Sequence, residues 1–506
     1  MPEERLTYRG AGVDVEANNE ANERIKAEVR RTHDRRVLTR PGLFGGAVSL
    51  EAALRRLPSP VLVGTLVSGG EGGEGAPGGA PLPPDAGEGA RIVAACRARL
   101  PAPARPVAFL DYIAAERLEP RRAAALVGAF ALELRRRPRV PLIGGETAEM
   151  PGVLRRGAWE TAGALFAVAP GTGGPGGAAA AGQSQAGGGA GERPAAALGG
   201  ALGLSRPALV FSMDGVGTKT KLAVMAGRTE GLALDIIHHS LNDILCQGAE
   251  GLAFLFYVGC HQRDPALLEP LAGGLARRCR ELGLAALELV VAEKPSVYLP
   301  GEYDLCAAVA GLLDAGRLIQ GEAVEAGDVL LGLGSSGLHT NGYSLARRAL
   351  LDRGGLRLQQ RVPELGGTLG EALLEPHRDY APALLPLLRE PSLGGAIRGI
   401  AHITGGGLPD NLARVLPQGL GADVRLGSWP VPPLFPLIQR AGGVPESDPA
   451  GKGMYESFNM GIGLVLVAAA RQAEGLRQRL EQAGERAYTI GTVARREGAP
   501  KVRLLP

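Results

Sequence analysis

The chain is expected to be an α/β and α+β protein, with two tandem domains of one kind followed by one domain of another. Three observations predict this. Apolar, β-branched runs alternate with helical spacing along most of the length. One stretch occurs twice: Val107-Ala-Phe-Leu-Asp-Tyr-Ile-Ala114 lines up with Leu252-Ala-Phe-Leu-Phe-Tyr-Val-Gly259. A run of almost pure Gly, Ala, Ser and Gln, residues 171–203, separates the two copies.

Each copy is damaged where the other is intact. Asp111 and Glu146 lie 35 residues apart, and so do the aligned Phe256 and Val291. The first copy carries Gly144-Gly145-Glu146-Thr147-Ala148-Glu149-Met150-Pro151-Gly152, where the second has Leu289-Val290-Val291-Ala292-Glu293-Lys294-Pro295-Ser296-Val297. Upstream the imbalance reverses: the second copy has Asp214-Gly215-Val216-Gly217-Thr218-Lys219, the first Val67-Ser68-Gly69-Gly70-Glu71-Gly72. Two half-sites on repeated scaffolds imply one working site shared between them.

The elements follow in order. Residues 1–59 form an N-terminal segment: an extended piece from Tyr8 to Asp14, a polar helix from Asn18 to Thr32 and a turn at Gly42–Gly46. The first repeat spans 60–170. It opens on a β run at Pro60, passes a Gly/Pro-rich loop from Ser68 to Gly89, and continues with a buried strand at Val107–Ile113. Leu126, Phe130 and Leu134 mark one stripe of a helix over Arg121–Arg137. Residues 171–203 bury too little apolar surface to offset the entropy of ordering and read as a flexible linker. The second repeat, 204–315, has the same order, and 316–506 form the last domain.

Composition narrows the function. The 506 residues carry a net charge of +3, which leaves no electrostatic footprint for nucleic acid. No run reaches the roughly 18 apolar residues of a membrane span, and the start lacks the basic-then-apolar pattern of a signal peptide. Five cysteines without a CxxC pair argue against a zinc site or a disulfide framework. A soluble, cytoplasmic protein is expected.

The chemistry sits in a few strings. After the β run Ala208–Ser212, the loop holding Gly215 and Gly217 exposes backbone N–H groups that can cradle phosphate. Asp214 suits Mg²⁺, Thr218 offers a hydroxyl, and Lys219 offers a point charge for a phosphoryl oxygen. The spacing differs from GxxxxGK[ST], and an ordinary turn remains an equal reading of the string alone. Asp235 to Gly248 reads as a helix in which Asn242 and Asp243 sit against propensity, facing a metal-nucleotide. Gly144 and Gly145 allow close backbone approach, and Glu146 and Glu149 supply carboxylates. Asp111, inside an apolar strand, calls for a cation or donor, a structural salt bridge being the other reading. In the last domain Thr404-Gly405-Gly406-Gly407 runs into a helix whose N-terminus can hold phosphate. The polar loop holding Ser335, Ser336, His339, Thr340 and Asn341 suits a sugar phosphate, and Met454–Gly461 adds a third polar cluster.

Taken together, AGVD near the start, DGVGTK, the Asn-Asp helix, FLDYIA, GGETAEMPG, GSSGLHTNGYSL, ITGGGLPDNLARVLP, Trp429-Pro430 and MYESFNMGIG resemble the phosphoribosylformylglycinamidine cyclo-ligase (AIR synthetase) family. The resemblance implies ATP- and Mg²⁺-dependent closure of formylglycinamidine ribonucleotide (FGAM) to aminoimidazole ribonucleotide (AIR) in purine biosynthesis. On that reading Asp214, Lys219, Asp111 and Glu146 are catalytic. Gly215, Gly217, Thr218, Asn242, Gly144 and Gly145 bind ATP, and Asp214, Asp243 and Glu146 hold Mg²⁺. Ser335, Ser336, His339, Thr340, Asn341 and Thr404 to Gly407 hold the phosphate and ribose of FGAM. The duplication departs from the family pattern of one nucleotide-binding domain per chain, paired between two chains. It implies an AIR-synthetase-like fold with an internal pseudo-dimer, which leaves a further homodimer open. Two other readings stand beside it: another ATP-dependent phosphotransferase of the same superfamily, and a non-catalytic pseudoenzyme.

Overall fold

A computed structural model describes residue 11 and residues 14–55, 57, 59–69, 86–171, 195–390, 392–447 and 453–506. The extended piece at Tyr8, most of the Gly/Pro-rich loop after Ser68 and residues 172–194 of the expected linker lie outside these. The chain divides into two compact units: Glu16–Ser240 with Ala249–Leu318, and Leu241–Gly248 with Ile319–Pro506 and the start of the chain. Apart from Leu241–Gly248, the two repeats therefore share one unit. Among the described residues, no helix is long and apolar enough to cross a membrane.

Among its described residues the larger unit holds ten strands: β1 (Gly46–Ser49), β2 (Pro60–Ser68), β3 (Arg105–Ala115), β4 (Leu142–Glu149), β5 (Trp159–Pro170), β6 (Ala196–Ala197), β7 (Pro207–Gly215), β8 (Glu250–Cys260), β9 (Ala285–Glu293) and β10 (Tyr303–Asp314). They form two five-stranded sheets, β4-β3-β5-β2-β6 and β9-β8-β10-β7-β1. β3 and β8 are buried on both faces over most of their length, which is why they read as continuous apolar runs. Alternate residues point opposite ways. Leu110, Tyr112 and Phe166 join Leu209, Phe211 and Leu255 of the other sheet in one shared core. Phe109, Ile113 and Leu165 face the other way, against Ile92 and Val93 of helix Ala86–Arg99 and Leu126 and Phe130 of helix Pro120–Leu134.

Bonds between the two halves are reciprocal. Arg155 N–H donates to Val297 O at 2.8 Å, and Leu299 N–H to Val153 O at 2.9 Å. The edge strands are exchanged as well. β1, just before the first half, pairs antiparallel with β7 of the second, and β6, just before the second half, pairs antiparallel with β2 of the first. Leu50 N–H reaches Pro207 O at 2.8 Å, and Leu198 N–H reaches Pro60 O at 2.9 Å. This corrects the expected linker: Ala196–Ala197 is a strand and Gly199–Gly203 a 3₁₀ turn. The composition lacks periodicity, but alanines are small enough to lie along a neighbouring backbone.

The smaller unit contains β11 (Val329–Gly334), β12 (Arg361–Val362), β13 (Gly367–Thr368), β14 (Ile397–His402), β15 (Leu420–Arg425), β16 (Ile462–Ala468), β17 (Ala487–Arg495) and β18 (Val502–Leu505). Six of them form a mixed sheet in the order β14-β16-β11-β17-β15-β18, and β12 pairs with β13. Strand β16, between β14 and β11, is buried at all seven positions.

Candidate functional site

In the larger unit the two surviving half-motifs meet. β7 ends in Asp214-Gly215, and Val216 N–H holds the following loop to Leu305 O at 3.1 Å. Gly217 takes φ +56°, a left-handed turn that glycine adopts without strain. Helix Lys219–Ala226 follows, and Lys221 Nζ donates to Gly152 O at 2.8 Å. That carbonyl closes the GGETAEMPG string of the first half, so the loops of the two halves are bonded to each other. Cys306 of β10 registers the same proximity. Burial pushes its thiol up, and the carboxylates of Asp304, Glu160, Asp214 and Glu146 push it further, two of them from each half.

Other predicted residues are placed differently. Lys219 Nζ is held by Asp235 Oδ1 at 2.7 Å, with both side chains about 1 % exposed. The expected phosphoryl contact is thus an internal ion pair here, because a buried ammonium needs a carboxylate. Asp214 Oδ2 meets His239 Nε2 at 2.9 Å, and its Oδ1 accepts from Gly215 N–H at 2.6 Å. Thr218 is buried at the start of helix Lys219–Ala226.

Asp111 and Glu146 are not brought to one face, which corrects their expected grouping. β3 and β4 are parallel, with Asp111 in register with Gly145 and Tyr112 with Glu146, so the two carboxylates point to opposite sides. Gly145 is required beside Asp111: a Cβ there would sit 2.2 Å from Asp111 Oδ1. Gly144 makes no such approach, its Cβ position lying 4.0 Å from Leu110. Burial raises the Asp111 carboxyl to about 7.

Asn242 and Asp243 belong to the smaller unit. Asn242 Oδ1 accepts from Tyr380 N–H at 3.1 Å, and its Nδ2 donates to Arg378 O at 2.8 Å. Its amide thus bonds a chain segment 136 residues away. Asp243 Oδ1 accepts from His402 Nδ1 at 2.8 Å.

Three polar loops of the smaller unit converge. Ser335 Oγ donates toward Gly337 O at 3.0 Å and Asn459 Oδ1 at 3.1 Å, and Asn459 Nδ2 donates to Gly337 O at 2.9 Å. Ser336 Oγ donates to Pro376 O at 2.6 Å, while its N–H donates to His339 Nε2 at 3.2 Å. Asn341 Nδ2 lies 3.2 Å from Thr340 Oγ1, and its Oδ1 sits 3.3 Å from where a Gly405 Cβ would be. The turn at Gly406 (φ +89°) and Gly407 (φ +60°) starts helix Gly407–Val415. A Cβ on Gly407 would meet Tyr455 O at 1.9 Å. Asn411 Nδ2 ties this turn through Gly405 O at 3.1 Å and Gly407 O at 2.8 Å, and Thr404 Oγ1 lies 3.3 Å from Asn411 Oδ1. With carbonyls of the turn tied to Asn411, the helix N-terminus is shaped for an anion.

Sequence reasoning missed several groups. Lys221 stands two residues past the quoted loop string. His402 stands just before Ile403 of a quoted motif and His377 beside none, and neither is in the assigned sets. Tyr112 occupies the same place in its copy as Tyr257, and that repetition was a usable signal. Tyr112 O–H donates to Asp304 Oδ2 at 2.6 Å, joining the two halves.

The chain matches the N-terminal domain of AIR synthase related protein over residues 197–313 and the C-terminal domain over residues 325–502. It is 47% identical over 300 residues to a phosphoribosylformylglycinamidine cyclo-ligase of Symbiobacterium thermophilum, covering 58% of this chain and 82% of that protein. It is 41% identical over 294 residues to one of Bifidobacterium animalis subsp. lactis, covering 58% and 83%. A thiamine-monophosphate kinase structure from Stenotrophomonas maltophilia aligns with TM-score 0.44 and 18% identity, covering 59% of this chain and 85% of that one. With two such relatives and both domain matches in order, the chain belongs to the AIR synthase related protein family.

Proposed function

We propose that this chain is an ATP-dependent cyclo-ligase that closes FGAM to AIR in purine biosynthesis, as a soluble enzyme of the cytoplasm. Supporting this are relatives named phosphoribosylformylglycinamidine cyclo-ligase, 47% and 41% identical over 58% of the chain. The observation that carries it is the bond from Lys221 to Gly152 O, which links the intact loop of each half. The two tandem N-type domains act as an internal pseudo-dimer, and the pairing implied between two chains of the family is made here within one.

ATP is the second substrate and supplies the phosphoryl group that turns the formyl-amide oxygen of FGAM into a leaving group. An amidine nitrogen of FGAM then attacks that carbon, the C–O bond breaks, and phosphate and a proton depart. The chain's part is positioning and charge stabilisation. Asp214 and Glu146 offer hard oxygen ligands of the kind Mg²⁺ takes. The Gly215–Thr218 loop with Gly144 and Gly145 approaches the nucleotide. Lys219, fixed by Asp235, contributes positive charge through its neighbours rather than by reaching out. Asp111 acts from the helix-covered face beneath Gly145. Ser335, Ser336, His339, Thr340, Asn341 and Thr404 to Gly407 hold the phosphate and ribose of FGAM.

The test is purification of the full chain and assay of AIR with ATP and FGAM, with and without Mg²⁺. Stoichiometric AIR, ADP and phosphate, dependent on Mg²⁺, is the expected result. ADP release with thiamine phosphate and none with FGAM would assign a phosphotransferase instead. Absence of turnover with either substrate would leave a binding protein.

A further inference from the structure

Two strings of the smaller unit, Trp429-Pro430 and Met454–Gly461, carry no role so far, yet they touch both of its anion loops. Met460 takes φ +50°, in the left-handed region, and Gly461 follows at φ +95°. Glycine enters that region freely, whereas a Cβ crowds the backbone there. A buried methionine held in it is fixed by its surroundings.

The indole of Trp429 supplies that constraint. Its Nε1–H donates to Met460 O at 2.9 Å. An indole nitrogen only donates, and Trp429 is 4% exposed, so this carbonyl replaces the water the N–H has lost. The ring is itself held edge-on to Tyr455, with centroids 6.4 Å apart. Next along the chain, a Cβ on Gly461 would lie 2.5 Å from Pro432 Cδ. The Met460-Gly461 turn is therefore seated on the segment that begins at Trp429.

What the turn presents is polar. Gly461 O accepts from Ser335 N–H at 2.8 Å, and Gly461 N–H donates to Asn459 Oδ1 at 2.9 Å. Asn459 in turn bonds Ser335 Oγ and Gly337 O. The same string meets the far end of that loop and the second loop as well. Phe458 Cδ1 lies 2.4 Å from where a Gly342 Cβ would be, and Tyr455 O lies 1.9 Å from where one would be on Gly407. If Met460 relaxed out of the left-handed region, Asn459 and Gly461 would no longer both face Ser335. We propose that Trp429 and Met460 are positioning residues for the phosphate and ribose of FGAM: the indole locks a left-handed turn whose neighbours, Asn459 and Gly461, set the Ser335–Asn341 loop. This rests on the assignment of that loop to FGAM, and it gives Trp429 and Met460 no contact with the substrate.

The test uses the full chain with two readouts. Calorimetric titration with ribose 5-phosphate reads the loop without turnover, and KM for FGAM reads it during AIR formation. Trp429→Phe keeps the ring bulk and loses the donor. It should weaken ribose 5-phosphate binding and raise KM for FGAM by about 10-fold each, the scale of one lost hydrogen bond. The turnover number and KM for ATP should stay within about twofold, because phosphate and ribose are held alike before and during the reaction. Adding Met460→Gly should restore both values to within about threefold, since glycine keeps the turn without the bond. A tryptophan that served packing alone would not be rescued by a change that removes more packing. Met460→Val, barred from the left-handed region, should reproduce the loss with the indole in place, and it carries the test if Trp429→Phe does not fold. Unchanged binding and KM in Trp429→Phe, a loss that Met460→Gly deepens, or an unsubstituted chain that binds no ribose 5-phosphate overturns the proposal. An unsubstituted chain that makes no AIR, with the variant pattern intact for ribose 5-phosphate, sinks the cyclo-ligase reading and leaves the positioning role standing.

Discussion

Strands β2–β5 and β7–β10 are laid out alike, down to a register shift at Phe109/Leu110 in one and Phe254/Leu255 in the other. Their polar residues are not alike. The second position of β5 is Glu160 and that of β10 is Asp304. Both are buried between the sheets, yet Glu160 takes Lys294 Nζ at 2.5 Å, while Asp304 takes the hydroxyl of Tyr112 at 2.6 Å. Lys294 N–H donates to Cys260 O where Met150 N–H donates to Ala115 O, so in the fold the first half has the fully buried Met150 in the place of Lys294, one position on from the sequence alignment. Without a cation beside it, Asp304 is pushed up by burial to about 7. The apolar alternation that defines each sheet survives such exchanges, because it needs only hydrophobic bulk at every second position. Buried charges change in matched sets, because an unpaired one is costly. The same freedom lets one half keep Asp214 and the other Glu146.

The largest effect should come from breaking one matched set. Lys294→Met leaves the Glu160 carboxylate buried without its cation and should cost about 3–5 kcal/mol in urea unfolding. Adding Glu160→Gln should restore most of it, and a single variant within about 0.5 kcal/mol of the parent would show that the asymmetry is idle.

Asp111 has no counterpart in the second half, where Phe256 stands. Its carboxyl titrates at about 7 when folded, above its ordinary value. The stability it contributes is therefore full below about pH 4 and is lost as pH rises through about 7. Asp111→Asn in metal-free protein should flatten the stability profile across that window by something on the order of 4 kcal/mol. An unchanged slope between pH 4 and pH 7 would refute the assignment.

Activity divides the halves differently. Glu146→Gln and Asp214→Asn should each lower kcat for AIR formation by about 100-fold or more, or about 2.7 kcal/mol of transition-state stabilisation. If either variant, one per half, retained full activity, the shared site would be wrong.

The smallest effect is expected from the tyrosines. Tyr112→Phe removes the donor to Asp304 and should cost about 1–2 kcal/mol. Tyr257→Phe should cost less, since the Tyr257 hydroxyl donates to no described carboxylate. Equal losses would mean that the two halves are more alike than their bonds show.

Much of this was legible in the chain. β-branched runs mark β3 and β8, and the stripe of Leu126, Phe130 and Leu134 marks helix Pro120–Leu134. The strings around Asp214, Ser335 and Thr404 mark loops that the structure does turn toward polar clusters, while the string at Glu146 continues strand β4. Other parts were not. Ala196–Ala197 gives no periodic signal, because two residues make no pattern and their hydrogen bonds come from β2. Asn242 looked like a ligand contact because it opposes helix propensity; its real partners are Arg378 and Tyr380, which nothing local could indicate. The family resemblance sets Asp111 and Glu146 in one catalytic group, but the register of β3 and β4 puts them on opposite faces.

By itself the sequence determined the period of each strand and helix, the order of the two similar halves, and the residue types at the turns. Those properties are local, set by side-chain bulk, backbone freedom and apolar spacing over a few residues. The tertiary structure alone decided the exchange of β1 and β6, the burial of Lys219 against Asp235, and the bond from Trp429 to Met460 O. Each of these depends on groups far apart in the chain, whose charges and lone pairs act only at the few ångströms that folding brings about.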